Sequence, residues 1–540
     1  MSQAIPQARQ GAVPERTGVD YHPGTLLKQA PSTRSFIEYL YGENKIYSLL
    51  MIFLMIVQFI IFKLLYPYPD FFSDSYSYIF AAYAHLNVNI WPIGYSKFLL
   101  LFHWFTHSAT ALNFFQYMFL GVSSLYFYHT IVYFYPTGKN TRTILCLFLF
   151  FNPLNLYLAN YVSSDAIFVA LSLIWLSQLI WVIHRPKPYQ IIILSVVFFI
   201  AFTFRYNAMY YPIIAAVAFL MSRQKAWVKV AGIVTGPVLI IPFIFFSSNA
   251  AKQMTGTAQF PPILGGWQWG NNALYMREYI KEDSTKFPSP ATGELDQIAR
   301  NYFRTVPPQY RELSSYVANF FIRQPEAPLK QYMARHYEET DGISSIAAWG
   351  KVAPVFGQYG LYLIKRHPLA FAQYYLLVNT KNYFLPPLEK LEIYNLGQDD
   401  IATIAAFWFG YPSLKVTSVS KTLQGNVLLL YPVLFMILNF YFGWSLYLFI
   451  RRKGFKMAER RLSYTVALIS LFVLLNAGFS IFANIIVIRY EVFPMIIFLA
   501  FPMLMTDWLE QMAAVRKAPG WNQGQPEEKE VSQQLQPQLS

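Results

Sequence analysis

The sequence is poor in cysteine and in charge, and both shortages exclude common classes of protein. A single cysteine in 540 residues, Cys146, excludes an intramolecular disulfide and a CxxC metal site. Only 13% of the residues are charged, whereas 55% are hydrophobic and 19% are aromatic. A soluble chain of this length needs more polar surface to face water. The composition therefore predicts a membrane protein.

The net charge of +14 is large, but its distribution argues against a nucleic-acid partner. Lys and Arg gather in short segments between apolar runs, at 139–142, 185–187, 223–229 and 451–461. Cytoplasmic loops of membrane proteins carry such clusters. All four fall on one side of the membrane if the amino terminus is cytoplasmic, and the carboxyl terminus is then cytoplasmic as well. The chain has no P-loop, and we predict neither a cofactor nor a metal site.

Apolar runs of about 20 residues, long enough to cross the hydrocarbon core, follow one another along the chain. The run at 191–221 is interrupted at FRYNAMYYP, and both of its flanks are basic, so we interpret it as two short helices that go out and return. The chain is then all-α with about ten transmembrane helices. The other predicted spans are 47–66, 110–133, 144–162, 166–184, 230–247, 427–450, 463–480 and 490–508.

These spans predict how the chain is organised. Residues 1–46 form a cytoplasmic segment, and 47–247 a transmembrane core whose first outer loop is 67–108. The stretch at 248–425 is too long for a connection, so we expect a folded extracytoplasmic insertion. Residues 426–508 return to the membrane. Asp507 is expected to end the last helix, and 509–540 to form a disordered cytoplasmic tail rich in Gln, Glu and Pro.

Ionisable side chains recur at the outer ends of the predicted spans, where burying a charge is costly and usually serves a purpose. A simpler role is available for each of them: the aspartates can cap helices or mark a turn, the lysine can snorkel, and the arginines can anchor helix ends. Cations on the outer side are nevertheless unexpected under the positive-inside rule. The six residues are Asp70, Asp74, Lys97, Asp165, Arg205 and Arg489.

Carboxylates and cations together suit the transfer of a sugar from a lipid phosphate. A carboxylate can take the proton from an acceptor hydroxyl, while Arg and Lys stabilise charge on the departing phosphate. Arg can do so with a bidentate fork. We therefore predict Asp74 as the base, Asp70 and Asp165 as positioning carboxylates, and Lys97, Arg205 and Arg489 as the phosphate-binding residues.

Four segments resemble the GT-C superfamily of integral-membrane glycosyltransferases, in particular bacterial relatives of protein O-mannosyltransferase (glycosyltransferase family 39) and the lipid A aminoarabinose transferase. The segments are PDFFSDSYSYIFAA, FFNPLNLYLANYVSSDAIFVAL, FRYNAMYYP and RYEVFP, the last with Arg489, Tyr490 and Pro494. In the first, Asp74 matches the catalytic carboxylate of the family, with Asp70 as the alternative, and in the last Tyr490 is a further predicted substrate-binding residue.

This resemblance implies a donor sugar linked to undecaprenyl or dolichyl phosphate, a hydroxyl acceptor on a lipid, glycan or protein, and inversion at the anomeric carbon. It also implies a bacterial inner membrane with the active site facing the periplasm or exterior. The chain departs from the family in two respects: Ser75 follows Asp74 where a second acidic residue is commoner, and the helical insertion lies in mid-chain.

Other hypotheses remain open from the sequence. A secondary transporter or flippase of lipid-linked glycans fits the interrupted run at 191–221, although no inverted repeat supports it. A glycan polymerase or ligase would share the phosphate chemistry. His103 and His107 have the spacing of metal ligands, but interfacial packing is the favoured role. Trp267 and Trp269 are candidates for stacking on a sugar, although burial and bilayer contact explain them equally well.

Overall fold

The protein is helical throughout the residues that the computed structural model describes, which are 35–283, 286–337 and 342–517. In these ranges the only β-structure is two isolated bridges, Asp70 with Tyr161 and Asp400 with Lys415. Seven helices are long and apolar enough to cross a membrane. The prediction of an all-helical membrane protein is confirmed.

The amino-terminal half packs with segments after residue 382 in the larger hydrophobic core. Its helices are Phe36–Glu38, the π-helix Tyr39–Glu43, Lys45–Leu65, Ser73–Tyr83, Gly94–His103, Ala109–Phe134, Lys139–Phe150, Pro153–Asn160, Asp165–His184, Gln190–Phe204, the 3₁₀ turn Tyr206–Tyr210, Tyr211–Met221 and Ala226–Thr255. The predicted span at 144–162 is two helices, because Pro153 starts the second one and the Asn152 side chain caps it.

Three further predicted spans of this half correspond to helices outside the seven. Ala109–Phe134 is 26 residues long but rich in tyrosine and polar side chains, and most of it is buried against other helices. Gln190–Phe204 and Tyr206–Met221 are apolar but shorter. Arg205 lies between them in extended backbone, with φ −151° and ψ 129°, so the chain is interrupted where the sequence predicted.

The mid-chain insertion has a hydrophobic core of its own, centred on residues such as Trp267 and Phe356. Its helices are Leu264–Arg277, Pro290–Thr305, Pro308–Ser314, Phe320–Arg323, Pro328–His336, Gly342–Arg366, Pro368–Phe371, the π-helix Ala372–Leu376, Leu377–Phe384, the 3₁₀ turns Glu389–Leu391 and Tyr394–Gly397, Thr403–Phe409 and Leu423–Leu428.

Two helices of the insertion, Leu264–Arg277 and Gly342–Arg366, pack with their backbones in close approach. A Cβ atom on Gly266 would collide with the carbonyl of Ala353, and one on Gly360 with the carbonyl of Trp269. Glycine is therefore required at both positions. This tight pair gives the insertion a rigid centre.

The last described elements are the helices Tyr431–Arg451, Gly454–Met457 and Arg460–Ala483, the 3₁₀ turn Ile488–Tyr490 and the helix Val492–Lys517. The prediction that Asp507 ends the last helix is wrong. Asp507 lies inside that helix and is buried, because its carboxylate accepts hydrogen bonds from Gly138 N (3.0 Å) and Thr141 Oγ1 (2.9 Å) at the start of a neighbouring helix. Of the predicted disordered tail at 509–540, residues 509–517 are helical, contrary to the prediction. The rest of that tail, like the segment before residue 35, lies outside the described residues.

Candidate functional site

Three predicted residues meet at one end of the helix bundle. Asp165 begins one long helix, Arg205 follows another, and Arg489 precedes the last. The carboxylate of Asp165 pairs with Arg205 and also accepts a hydrogen bond from Arg489 Nη1 at 3.3 Å. The Asp165 and Arg489 side chains are 2% and 4% exposed. Residues more than 300 positions apart in sequence therefore share one buried ion cluster.

Helix capping does not explain Asp165. The residue stands at the first position of its helix, and the N-cap position is taken by Ser164. Its carboxylate instead accepts a hydrogen bond from Ser163 Oγ (2.9 Å) and faces the two arginines. A carboxylate at a helix amino terminus is also favoured by the helix dipole. The capping alternative is thus replaced by an electrostatic role.

Asp74 joins the same cluster from the helix Ser73–Tyr83. Its Oδ2 lies 3.1 Å from Lys390 Nζ and 3.5 Å from Arg489 Nη2. The neighbouring Ser75, and not Asp74, closes the start of the helix, because Ser75 Oγ accepts the hydrogen bond from Phe72 N at 3.3 Å. Serine after Asp74 therefore has a structural purpose, and the carboxylate of Asp74 is left for the cluster.

The insertion supplies three members of the cluster that the sequence reasoning missed: Arg323, Glu389 and Lys390. Lys390 contacts Asp74 as described, and Arg323 Nη1 donates to Glu389 Oε1 at 2.9 Å. Arg323 Nη2 lies 3.9 Å from Asp74 Oδ1, and Glu389 Oε2 lies 3.6 Å from Arg489 Nε. The adjacent charges of Glu389 and Lys390, directly after a Pro-Pro-Leu turn, were the one local signal available.

The completed cluster holds more cations than carboxylates. Arg205, Arg323, Lys390 and Arg489 face Asp74, Asp165 and Glu389, a formal excess of one positive charge. Buried Nη2 of Arg323 and Nε of Arg489 have no hydrogen-bond partner among the described residues. A buried cationic excess with unused N–H donors is suited to an anionic ligand.

The cluster changes the proton affinity of its own members. Burial acts to raise the pKa of Asp74, but Lys390, Arg323 and Arg489 outweigh it and hold that pKa below its usual value. Burial and the two arginines lower the pKa of Lys390 well below its usual value, although Asp74 and Glu389 act in the opposite direction. Phe72 contributes a ring face, with Lys390 Nζ 3.9 Å from its centroid.

Asp70 is buried but lies outside the ion cluster. Its Oδ1 accepts a hydrogen bond from Asn395 N (2.9 Å) and its Oδ2 one from Gln424 Nε2 (3.3 Å). Tyr161, its bridge partner, donates to the carbonyl of Lys390 at 2.7 Å. Asp70 and Tyr161 therefore hold the segment that carries Lys390. Burial raises the pKa of Asp70 to about 7, although the hydrogen bonds from Asn395 and Gln424 act against it.

The segment held in this way has an unusual backbone. Glu389, Asn395 and Leu396 have φ of 53°, 49° and 50°, in the left-handed region that residues other than glycine rarely occupy. Such conformations persist only where surrounding contacts impose them. The contacts of Asp70 thus have a definite structural task close to the cluster.

The remaining predicted site residues are divided. Tyr490 is at the cluster: its hydroxyl accepts a hydrogen bond from Arg489 Nη2 (2.7 Å), and the guanidinium of Arg205 lies 4.7 Å from its ring centroid. Lys97 is elsewhere, with Nζ donating to Asn87 Oδ1 at 3.0 Å in an exposed setting. The structure brings Lys97 into no ion pair with the cluster carboxylates.

The histidine and tryptophan candidates make packing contacts. The rings of His103 and His107 lie 3.8 Å apart, and His103 stacks on Trp408. Within the described ranges no group of three His, Cys, Asp or Glu side chains is arranged to hold a metal ion. Trp267 is fully buried, stacks on Trp349 and donates to its carbonyl at 2.8 Å, so it has no face free for a sugar. Trp269 packs edge-on against Phe482.

Compared with known proteins, the chain gives no significant match to a family model, a curated protein or a solved structure.

Proposed function

We propose that the protein is an inverting glycosyltransferase that moves a sugar from a polyprenyl-phosphate donor to a hydroxyl acceptor. The observation that carries the proposal is the buried cluster with one cation in excess, at an end of an apolar helix bundle. A sugar phosphodiester carries one negative charge, which would neutralise that excess. Its polyprenyl chain is apolar and would lie in the lipid that surrounds the apolar helices.

Phosphate binding and base activation are linked in this arrangement. Donor phosphate oxygens would take hydrogen bonds from Arg489, Arg323 and Lys390, the cations that hold the pKa of Asp74 low. Drawing these cations toward phosphate raises the proton affinity of Asp74 when the donor is present. Asp74 can then accept the proton of an acceptor hydroxyl as the oxygen attacks the anomeric carbon. The cations stabilise the phosphate that leaves with the polyprenyl chain.

Asp165 has a different task in this scheme. Its carboxylate pairs with both Arg205 and Arg489, so it aligns two guanidinium groups. Asp70 acts through the segment that bears Lys390. The same proposal includes the GT-C class, a bacterial inner membrane and an outward-facing site. It also includes ten transmembrane helices, a number that counts Ala109–Phe134 and the two short helices around Arg205.

Sugar transfer from a labelled donor tests the proposal. Purified protein in lipid nanodiscs is given a polyprenyl phosphate carrying a radiolabelled hexose or pentose, with lipid, glycan and peptide hydroxyl acceptors. Replacing Asp74→Asn removes the base, and Arg489→Met removes the central cation, so each should lower transfer at least about 100-fold. Size-exclusion profiles check that the variants are folded.

Matched controls lie on the same segment of chain. Glu392→Gln removes an exposed carboxylate close to Lys390, and Lys381→Met removes an exposed lysine. Both should retain wild-type transfer. Near-normal turnover by Asp74→Asn would refute the assignment of the base, and polymerisation of lipid-linked glycans without dependence on Asp74 would favour a polymerase or ligase instead.

A further inference from the structure

The segment 368–384 of the insertion is helical throughout and reaches the membrane bundle. Its last helix, Leu377–Phe384, packs against Arg460–Ala483 and Tyr431–Arg451. Both of these neighbours belong to candidate membrane spans. A part of the chain that the sequence predicts to be extracytoplasmic therefore lies beside helices that are long and apolar enough to cross a membrane.

Side chains of this segment satisfy the carboxyl end of the helix Arg460–Ala483. Nδ2 of Asn379, a fully buried residue, donates to the carbonyl of Ile481 at 2.7 Å. The hydroxyl of Tyr375 donates to the carbonyl of Phe482 at 3.3 Å. The last carbonyls of a helix have no partner within the helix, and in contact with water they bind water. Where lipid excludes water, protein groups must take its place, as they do here.

Later residues of the segment lie further along both neighbouring helices. Tyr383 lies against Asn476, which is seven residues before the end of its helix. Phe384 stacks on Phe440, nine residues after the start of Tyr431–Arg451, with ring centroids 6.1 Å apart. At about 1.5 Å of rise per residue, these contacts lie about 10 Å and about 14 Å from the helix ends that face the insertion. The segment thus descends along the bundle.

The outer face of the descending helix is apolar and continues the exposed surface of a candidate span. Leu377, Phe384 and Leu385 are 64%, 40% and 39% exposed, and Phe440, on which Phe384 stacks, is 65% exposed. A contiguous apolar surface marks an interaction site, and on a membrane span the partner is lipid. Lys381 lies on the same face, but side chains tilt toward the amino terminus of a helix, so its long stem is directed back toward the membrane surface.

The turn after the helix suits a place without water. Pro386 and Pro387 have no N–H that could be left unpaired. The carbonyl of Pro387 accepts a hydrogen bond from Ile488 N at 3.0 Å, and Leu385 N donates to the carbonyl of Lys381 at 3.0 Å. Non-helical backbone at membrane depth is tolerated where protein contacts satisfy it, and these contacts do so.

We propose that residues 377–390 form a re-entrant loop whose tip contacts the acyl chains of the bilayer. The helix Leu377–Phe384 enters the membrane from the side of the insertion, and Leu385 lies in lipid at its tip. The chain turns at the two prolines and returns to Lys390, which contacts Asp74 in the ion cluster. One cation of the cluster is therefore carried by a segment that has passed through lipid. This placement requires no assumption about sugar transfer and can be tested separately.

Nitroxide labels at three depths test the re-entrant loop. The variants are Leu369→Cys, Leu377→Cys and Leu385→Cys, made in the full-length chain with Cys146→Ala and reconstituted in lipid nanodiscs. Power saturation of the EPR signal measures collisions with oxygen, which concentrates in lipid, and with a nickel chelate, which stays in water. Eight helical residues rise about 12 Å, so the ratio of oxygen to nickel collisions should increase at each step from residue 369 to residue 385, several-fold in all.

Two exposed positions calibrate the measurement. Leu474→Cys, on the helix Arg460–Ala483, should give the lipid value that Leu385→Cys matches, and Lys365→Cys, on the helix before the segment, should give the water value. Phe384→Cys replaces Leu385→Cys if the latter does not fold. A water value at the tip, or equal ratios at all three depths, overturns the re-entrant loop. Low collision with both reagents at the tip also overturns it, because another copy of the chain would then cover this face.

Discussion

The ion pair between Asp74 and Lys390 provides the sharpest test of how the cluster is balanced. The two side chains are 8% and 3% exposed, and their charged atoms lie 3.1 Å apart. Removing one member of a buried pair generally costs about 3–5 kcal/mol, because the other charge is left uncompensated. The two single replacements are nevertheless expected to differ, since the neighbours of the two residues differ.

Asp74→Asn should cost about 3 kcal/mol of unfolding free energy, in the range for a buried charge that loses its partner. It leaves Lys390 beside Arg323 and Arg489, the two arginines that already lower its pKa. Lys390→Met should cost only about 1 kcal/mol of unfolding free energy, because Asp74 keeps Arg489 at 3.5 Å and Arg323 at 3.9 Å. The variant loses a hydrogen bond to a charged group, but the remaining cations no longer repel Lys390, which offsets part of that loss.

Equilibrium unfolding in mixed micelles, followed by tryptophan fluorescence, measures the two costs and that of the double replacement. The double variant should be more stable than the sum of the single costs implies, with a coupling energy of about 1–2 kcal/mol. Glu392→Gln and Lys381→Met, both exposed, should change stability by less than about 0.5 kcal/mol. An equal or larger loss in Lys390→Met, or strict additivity, would refute the electrostatic reasoning.

Three other predictions concern stability. The pKa of Asp70 rises from 3.8 in the unfolded chain to about 7 in the folded protein, so between these pH values the native state keeps a proton that the unfolded chain releases. The unfolding free energy should therefore fall as pH rises from about 4 to 7. Asp70→Asn should abolish this slope in denaturation measured as a function of pH. Gly360→Ala should lower the unfolding temperature, at a cost of about 1–3 kcal/mol, because the added Cβ would meet a backbone carbonyl of the facing helix. Gly443→Ala should not destabilise the protein, because no atom lies within 4 Å of the added Cβ. Asp507→Ala should cost about 1–2 kcal/mol in the same thermal assay by uncapping a neighbouring helix, and an unchanged melting temperature relative to Glu510→Gln would contradict this.

Much of the membrane-embedded fold could be predicted because hydrophobic length is a strong local signal. The predicted span at 47–66 corresponds to the helix Lys45–Leu65, and that at 166–184 to Asp165–His184. Errors arose where a polar residue has a tertiary partner. The sequence predicts that Asp507 ends the last helix, and the hydrogen bonds of its carboxylate to the start of another helix cannot be recognised from the sequence.

The sequence predicts the site residues that lie at the ends of membrane helices, but not those in the insertion. Asp74, Asp165, Arg205 and Arg489 were singled out because charges near a bilayer are costly, and the structure brings these four together. Lys390 and Arg323 were not predicted as site residues, because charged residues are common in the insertion. In the sequence Lys390 does not differ from exposed lysines such as Lys381. Lys97 was selected by the same reasoning about depth, and it pairs with Asn87 instead.

The contribution of the insertion changes what the cluster can do. The transmembrane half alone supplies Asp74, Asp165, Arg205 and Arg489, whose formal charges cancel. Arg323 and Lys390 with Glu389 shift the balance to one positive charge and bring the cations that neighbour Asp74. If the proposed function is correct, the insertion is therefore a working part of the phosphate site. Asp70 accepts a hydrogen bond from Asn395 and so fixes the segment of the insertion that carries Lys390. Lys390 in turn contacts the carboxylate of Asp74.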